Sequence, residues 1–202
     1  MVQIEDVIKT TIKKSWIDTA RTRREAVDNK WGTDKMAMWG TPERRELGYI
    51  GERTFAEYFK LDLPGEMKPD GHVDFVIKGK PLVPGAVPGS MDEIGIDVKT
   101  AQYEKTFRGA FNNPNFMFQV LASQIELYGI PTPCRVLASV LINENRTTAY
   151  IVGWIKSSDV HLGPAWKTPE ERAGYWKVEP NGKPAYYRTE WWRLHKMGEL
   201  LE

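Results

Sequence analysis

The most constraining feature of the chain is the segment Ile94-Gly95-Ile96-Asp97-Val98-Lys99. Side chains alternate across a β-strand, so Ile94, Ile96 and Val98 share one face while Gly95, Asp97 and Lys99 share the other. Such a strand must bury one face and present an acid and a base, two residues apart, on the opposite face. The preceding apolar segment repeats the pattern, with Val73, Phe75 and Ile77 on one face and His72, Asp74, Val76 and Lys78 on the other. Paired as neighbours, the two strands bring Asp74 next to Asp97. Two adjacent carboxylates repel and raise each other's pKa. A divalent cation removes that penalty, and oxygen ligands of this kind suit Mg2+ or Mn2+.

A helix is predicted from about Pro42 to Phe59, with Thr41 as N-cap and Pro42 at the first helical position. Arg44 stands where a capping-box glutamate would sit. Within this helix Glu52 shares a face with Gly48, Phe55 and Phe59, a largely apolar setting for a carboxylate. The glycines at 48 and 51 allow close approach to another element. The rest of the chain reads as a helix over residues 3–30, strands over 72–78, 93–100, 136–143 and 148–155, and a helix opened by Asn112-Asn113-Pro114 and running to about Tyr128. The charges of residues 3–30 read as a solvated helical face or as contacts to a DNA backbone. Beyond Ser157 the chain is rich in Pro, Gly and Trp. This order predicts an α/β fold with a central mixed β-sheet flanked by helices.

Three segments in this order resemble a known family. Glu52, then Gly71-His72-Val73-Asp74-Phe75, then Ile96-Asp97-Val98-Lys99-Thr100 are similar to the motifs of the PD-(D/E)xK nuclease superfamily. That superfamily includes restriction enzymes, archaeal Holliday-junction resolvases, lambda-type exonucleases and RecB-type nuclease domains. Gln124-Ile125-Glu126-Leu127-Tyr128 fits the Q-x-x-x-Y pattern of the RecB-like branch. The resemblance spans residues 46 to about 130. It implies a restriction-endonuclease-like core, taken as residues 46–157; outside the resemblance, residues 1–45 read as a helical extension and 158–202 as a Trp-rich extension packing on the core. It also implies that Asp74, Asp97 and the carbonyl of Val98 bind a Mg2+ or Mn2+ ion, and that Glu52 binds a metal-bound water or a second metal. Lys99 would orient the attacking water or offset charge on the phosphate. Gln124 and Tyr128 would hold the catalytic strand or the DNA. Pro69-Asp70 is the literal "PD", but it precedes a glycine turn, and strand parity favours Asp74. Glu46, nearer the helix start, is the alternative to Glu52. Thr100, Gln102, Lys105 and Arg108 follow the catalytic strand as candidate phosphate contacts, and His72 shares the face of Asp74.

The activity so implied is metal-dependent hydrolysis of DNA phosphodiesters. The metal lowers the pKa of bound water and polarises the phosphoryl oxygen, and Lys99 adds positive charge where negative charge builds. The alternative is a noncatalytic nucleic-acid-binding or assembly protein that keeps the fold; a third reading has the Trp-rich tail contacting a partner. Composition bears on these readings only in part. The net charge is +1, without the basic excess frequent in nucleic-acid binders, though basic groups can still be concentrated in one groove. There is no Gly-x-x-x-x-Gly-Lys-Ser/Thr loop and hence no sign of an ATPase. One cysteine, Cys134, excludes an internal disulfide and a multi-cysteine metal site. With no signal-peptide pattern at the N-terminus and no long apolar run, the expectation is a cytoplasmic protein away from the membrane, as a possible homo-oligomer. Of the eight tryptophans, those of the last quarter read as packing groups or as a platform for unpaired bases. His161 and His195 have no visible ligand partners.

Overall fold

The structure is a computed structural model, and it describes residues 1–32, 40–63, 74–78, 93–113, 115–121, 135–156, 176–178 and 186–200. Five strands form a mixed sheet: β1 (Ile8–Thr11), β2 (Phe75–Lys78), β3 (Glu93–Tyr103), and the pair Arg135–Asn143 and Thr148–Lys156, here β5 and β6. Their order is β1-β6-β5-β3-β2. The β3–β5 pair is parallel and the other three pairs are antiparallel. A second, smaller sheet has the order β4-β8-β7, from Phe118–Leu121, Tyr186–Thr189 and Trp176–Val178. Helices α1 (Lys14–Trp31) and α2 (Pro42–Phe59) pack on each other, and α2 also packs on β3, β5 and β6. The short helix α3 (Phe107–Phe111) follows β3.

Burial explains why the sheet sits where it does. From Val136 to Ile142 every residue of β5 is at most 1% exposed, as expected for a central strand covered on both faces. The strand supplies both cores. Val136, Ala138, Val140 and Ile142 join Ile94, Ile96 and Val98 in one apolar cluster together with Ile50 and Phe55 of α2. Leu137 and Leu141 join a second cluster on the other face, with Tyr103, Phe107, Phe118, Val120 and Trp191. The sheet therefore separates a helical layer from a layer built by β4 and the C-terminal segment.

Helix α2 has the predicted bounds. Thr41 accepts a hydrogen bond at Oγ1 from the Arg44 N–H, and Pro42 occupies the first turn. It stops at Phe59, where Lys60 adopts a left-handed conformation with φ 54°.

Two expectations are corrected. Residues 3–30 are not one helix. Ile8–Thr11 form β1, paired with Thr148–Ile151 of β6, and α1 begins only at Lys14. The spacing of Ile4, Val7, Ile8 and Ile12 suits a helix, but Val7-Ile8-Lys9-Thr10-Thr11-Ile12 is rich in β-branched side chains that prefer a pleated neighbour. The start of α1 carries no side-chain cap to announce it. The helix expected from Asn112 is likewise absent from its described part. Asn113 Oδ1 accepts from the Asn115 N–H, and the Phe116 N–H donates to the Asn113 carbonyl, forming a turn. Phe118 and Val120 then alternate as the buried residues of β4, with Gln119 exposed. Residues 122–134 lie outside the described residues.

The C-terminal segment is pinned to the sheet. The backbones of Trp154 and His195 exchange hydrogen bonds of 3.1 and 2.8 Å, and the Val2 N–H donates to the Trp192 carbonyl. A Cβ on Gly153 would fall 2.5 Å from the His195 carbonyl oxygen, so that close approach requires glycine. No described helix is long and apolar enough to cross a membrane.

Candidate active site

The site begins where β2 meets β3. Their antiparallel register pairs Phe75 with Ile96 and Val76 with Gly95. One residue before β2, the Asp74 N–H donates to the Ile96 carbonyl at 2.8 Å. Its side chain turns inward, and Asp74 Oδ2 accepts the Val98 N–H at 2.7 Å. This fixes Asp74 against β3 beside Asp97, as strand parity predicts. Ile94, Ile96 and Val98 are buried in the helical layer, which places Asp97 and Lys99 on the opposite face. Asp97 is itself buried, at 7% exposure, and Lys99 Nζ pairs with Asp97 Oδ2 at 2.7 Å.

Glu52 reaches the same region from α2. It is 6% exposed and pairs with Arg23 of α1 at 3.2 Å. The Arg23 guanidinium also lies over the Tyr49 ring, 4.6 Å from its centroid. Close packing of α2 on β3 depends on Gly51, because a Cβ there would fall 1.9 Å from Thr100 Oγ1. Gly48 has no such contact among the described residues.

Electrostatics tie the acids into one cluster. Burial pushes the Glu52 carboxyl up to about 7; Arg23 opposes the rise, and the charge of Asp97 adds to it. Asp74 is raised well above the ordinary carboxylate range, first by burial and then by the charges of Asp97 and Glu52. The Val98 N–H and Lys99 pull it back only in part. The carboxylates are therefore close enough to repel. Among the described residues, no group of three His, Cys, Asp or Glu side chains is placed to hold a metal ion. Any cation here must complete its shell from water, backbone or substrate oxygens, the habit of Mg2+.

The other candidates divide. Thr100 stands beside Lys99, and its buried Oγ1 has no hydrogen-bond partner among the described residues. Gln102 donates through Nε2 to the Glu144 carbonyl at the β5–β6 turn. Lys105 and Arg108 are exposed beyond the end of β3, Arg108 within α3. Asp70, His72, Gln124, Tyr128, Cys134 and His161 lie outside the described residues. Glu46, the alternative to Glu52, is committed elsewhere: it bridges Arg24 at 3.1 Å and Arg146 at 3.0 Å. His195 stacks on Trp154 with centroids 4.5 Å apart, a packing role.

Sequence reasoning missed Arg23 as the partner of Glu52. It read the charges of residues 3–30 as a solvated face or as DNA contacts, whereas Arg23 and Arg24 turn to Glu52 and Glu46 of α2. The signal was available only in part: α1 and α2 carry complementary charges, but helical spacing does not say which pairs meet. The chain matches no family model, no curated protein and no solved structure.

Proposed function

We propose that this chain is a Mg2+- or Mn2+-dependent nuclease that hydrolyses DNA phosphodiesters, and that its mixed sheet is a restriction-endonuclease-like core. The observation that carries the reading is the convergence of the buried Asp97 and Glu52 and the half-buried Asp74 beside Lys99, where neighbouring charge raises the pKa of Asp74 and Glu52. Buried like charges are costly to keep, and a site for a divalent cation is the simplest reason to keep them. The donor chemistry suits a hard cation: Asp74 and Asp97 would hold it, with the Val98 carbonyl as a further ligand. When bound, the ion supplies an acidified water and charge neutralisation at the phosphate.

The chain's own residues do the rest. The backbone bond from Val98 holds the Asp74 carboxylate in place. Asp97 anchors the Lys99 ammonium, which offsets charge on the phosphate as the bond to the leaving oxygen breaks. Glu52 orients water at the edge of the acid pair, and Arg23 steadies Glu52.

The test is time-resolved cleavage of circular and end-labelled linear DNA, with and without Mg2+ or Mn2+, for the native protein and for Lys99→Ala and Asp97→Asn. Metal-dependent cleavage that both variants lose is expected. No cleavage of single-stranded, duplex, nicked or branched DNA, or full activity in Lys99→Ala, would overturn the reading. A second reading is a noncatalytic DNA-binding or assembly protein. The Lys99–Asp97 and Arg23–Glu52 pairs favour it, since they neutralise two of the acids from within the chain. It requires DNA binding that is indifferent to metal and to Asp97→Asn.

A further inference from the structure

Beside Lys99, a cavity of about 600 Å3 opens between β3, the start of α2 and the layer that carries β4. β2 covers β3 only from Glu93 to Ile96, and the Val98 N–H beyond is taken by Asp74. Among the described residues, no strand pairs with that edge of β3 further along.

The walls have two characters. On one side stand Lys99, Thr100, Ser139 and Arg44. Ser139 lies opposite Lys99 in the β3–β5 register, at the point where the β5–β6 pairing shifts by a bulge. It is 1% exposed. Ser139 Oγ has no hydrogen-bond partner among the described residues, whereas the Thr100 hydroxyl on the opposite face of β3 packs on Gly51 of α2. Buried hydroxyls are nearly always satisfied, so an orphan at the cavity wall calls for a ligand that satisfies it. Arg44 is exposed on the first turn of α2, and among the described residues its side chain makes no ion pair. The other side is apolar, formed by Phe116, Met117, Phe118 and Trp191. Trp191 is held rigid there, its indole N–H donating to the Phe116 carbonyl at 2.6 Å.

A ligand matching these walls has an anion for the cations, an acceptor for the Ser139 hydroxyl and a flat apolar body for the aromatic wall. Cavities of about 300–1,000 Å3 accept small molecules. A B-form duplex, whose major groove alone is about 12 Å wide, is too large to enter. We propose that this cavity receives one unpaired nucleotide next to the cleaved phosphate, so that the protein acts on single-stranded DNA or frayed ends rather than on intact duplex. The identification of the ligand as DNA rests on the nuclease reading; the cavity and its orphan hydroxyl do not. The phosphate would meet Arg44 and Lys99, a sugar or phosphate oxygen Ser139, and the base the apolar wall, where stacking tolerates any sequence.

The test is fluorescence polarisation with a labelled twelve-residue oligothymidylate and a blunt duplex of the same length, in EDTA so that binding is read without metal-dependent cleavage. Thymidine monophosphate serves as competitor, and Arg44→Ala and Ser139→Ala are compared with the native protein. The oligothymidylate should bind at least about tenfold tighter than the duplex and be displaced by the mononucleotide. Each variant should weaken it by at least about tenfold, the range of one hydrogen bond to a charged group. Ser139→Ala should at the same time raise the melting temperature, because it removes an orphan hydroxyl, and this split between affinity and stability is not expected of a purely structural serine. Arg44→Ala is at an exposed position and keeps the test valid whatever Ser139→Ala does to folding. Equal or tighter duplex binding, no displacement by the mononucleotide, or native affinity in both variants would overturn the proposal. If the native protein binds in the expected pattern yet cuts nothing with Mg2+ or Mn2+, the nuclease reading fails and the cavity assignment stands. If it cuts duplex and ignores single strands, the reverse holds.

Discussion

Replacing Glu52 by Gln should stabilise the metal-free protein at neutral and alkaline pH. The Glu52 carboxyl titrates at about 7 in the folded chain against an ordinary 4.5. Its folded pKa is raised, so the folded state binds the extra proton. Stability from this group is fully present below about pH 4.5, declines as pH rises, and is lost above about pH 7. The loss is about 3 kcal/mol, because a tenfold change in a protonation equilibrium corresponds to about 1.4 kcal/mol. Gln resembles the protonated acid in shape and carries no charge to desolvate. At pH 8 in EDTA the variant should therefore be more stable than the native protein by up to about 3 kcal/mol. For a chain of this length that is a rise of roughly 6–12 °C in Tm. Near pH 4.5 the two should melt together. Thermal and urea unfolding across pH 4.5–8 gives the difference curve, in which the other titrating groups largely cancel. Adding Mn2+ at about a hundred times its Kd should stabilise the native protein by about 3 kcal/mol and the variant by less. A flat difference curve, or a variant less stable at pH 8, would refute the reasoning. Glu52 would then be a net stabilising partner of Arg23 rather than a strained acid kept for a ligand.

Asp74→Asn keeps an acceptor for the Val98 N–H while removing one of the repelling charges. Unfolding in EDTA at pH 8 should find it at least as stable as the native protein, while metal-dependent cleavage falls by at least about a hundredfold. Gly51→Ala drives a methyl into Thr100 Oγ1 and should cost about 1–3 kcal/mol in denaturant unfolding. Adding Thr100→Ala should recover part of it, and a double variant no better than the single one would contradict the close approach of α2 and β3. Trp191→Phe leaves the Phe116 carbonyl without its indole donor and should cost about 1–3 kcal/mol. An unchanged urea midpoint would show that the bond contributes nothing.

Much of the architecture was legible because it rests on local rules. The cap at Thr41 and Pro42 marks the start of α2, and β-branched and aromatic alternation marks β2, β3, β5 and β6. Elements failed where a local rule met a competing one. The apolar spacing of β1 fits both periods, and β6 supplies the partner that decides between them. Asn112-Asn113-Pro114 can open a helix or a turn into a strand, and β8 decides for the strand by pairing with β4.

The acid site divides in the same way. From Ile94-Gly95-Ile96-Asp97-Val98-Lys99 alone it follows that Asp97 and Lys99 share the face opposite the core, because alternation is a property of the backbone. Parity likewise selects Asp74 over its neighbours in β2. That Asp74 takes the Val98 N–H, that Arg23 answers Glu52, and that Glu46 is occupied by Arg24 and Arg146 came only with the packing of α1, α2 and the β5–β6 turn around β3. Such pairings join residues far apart in sequence, and charge, unlike backbone parity, acts through space. It therefore took the tertiary structure to convert four chemically apt side chains into a buried cluster in which burial and neighbouring charge raise the pKa of Asp74 and Glu52.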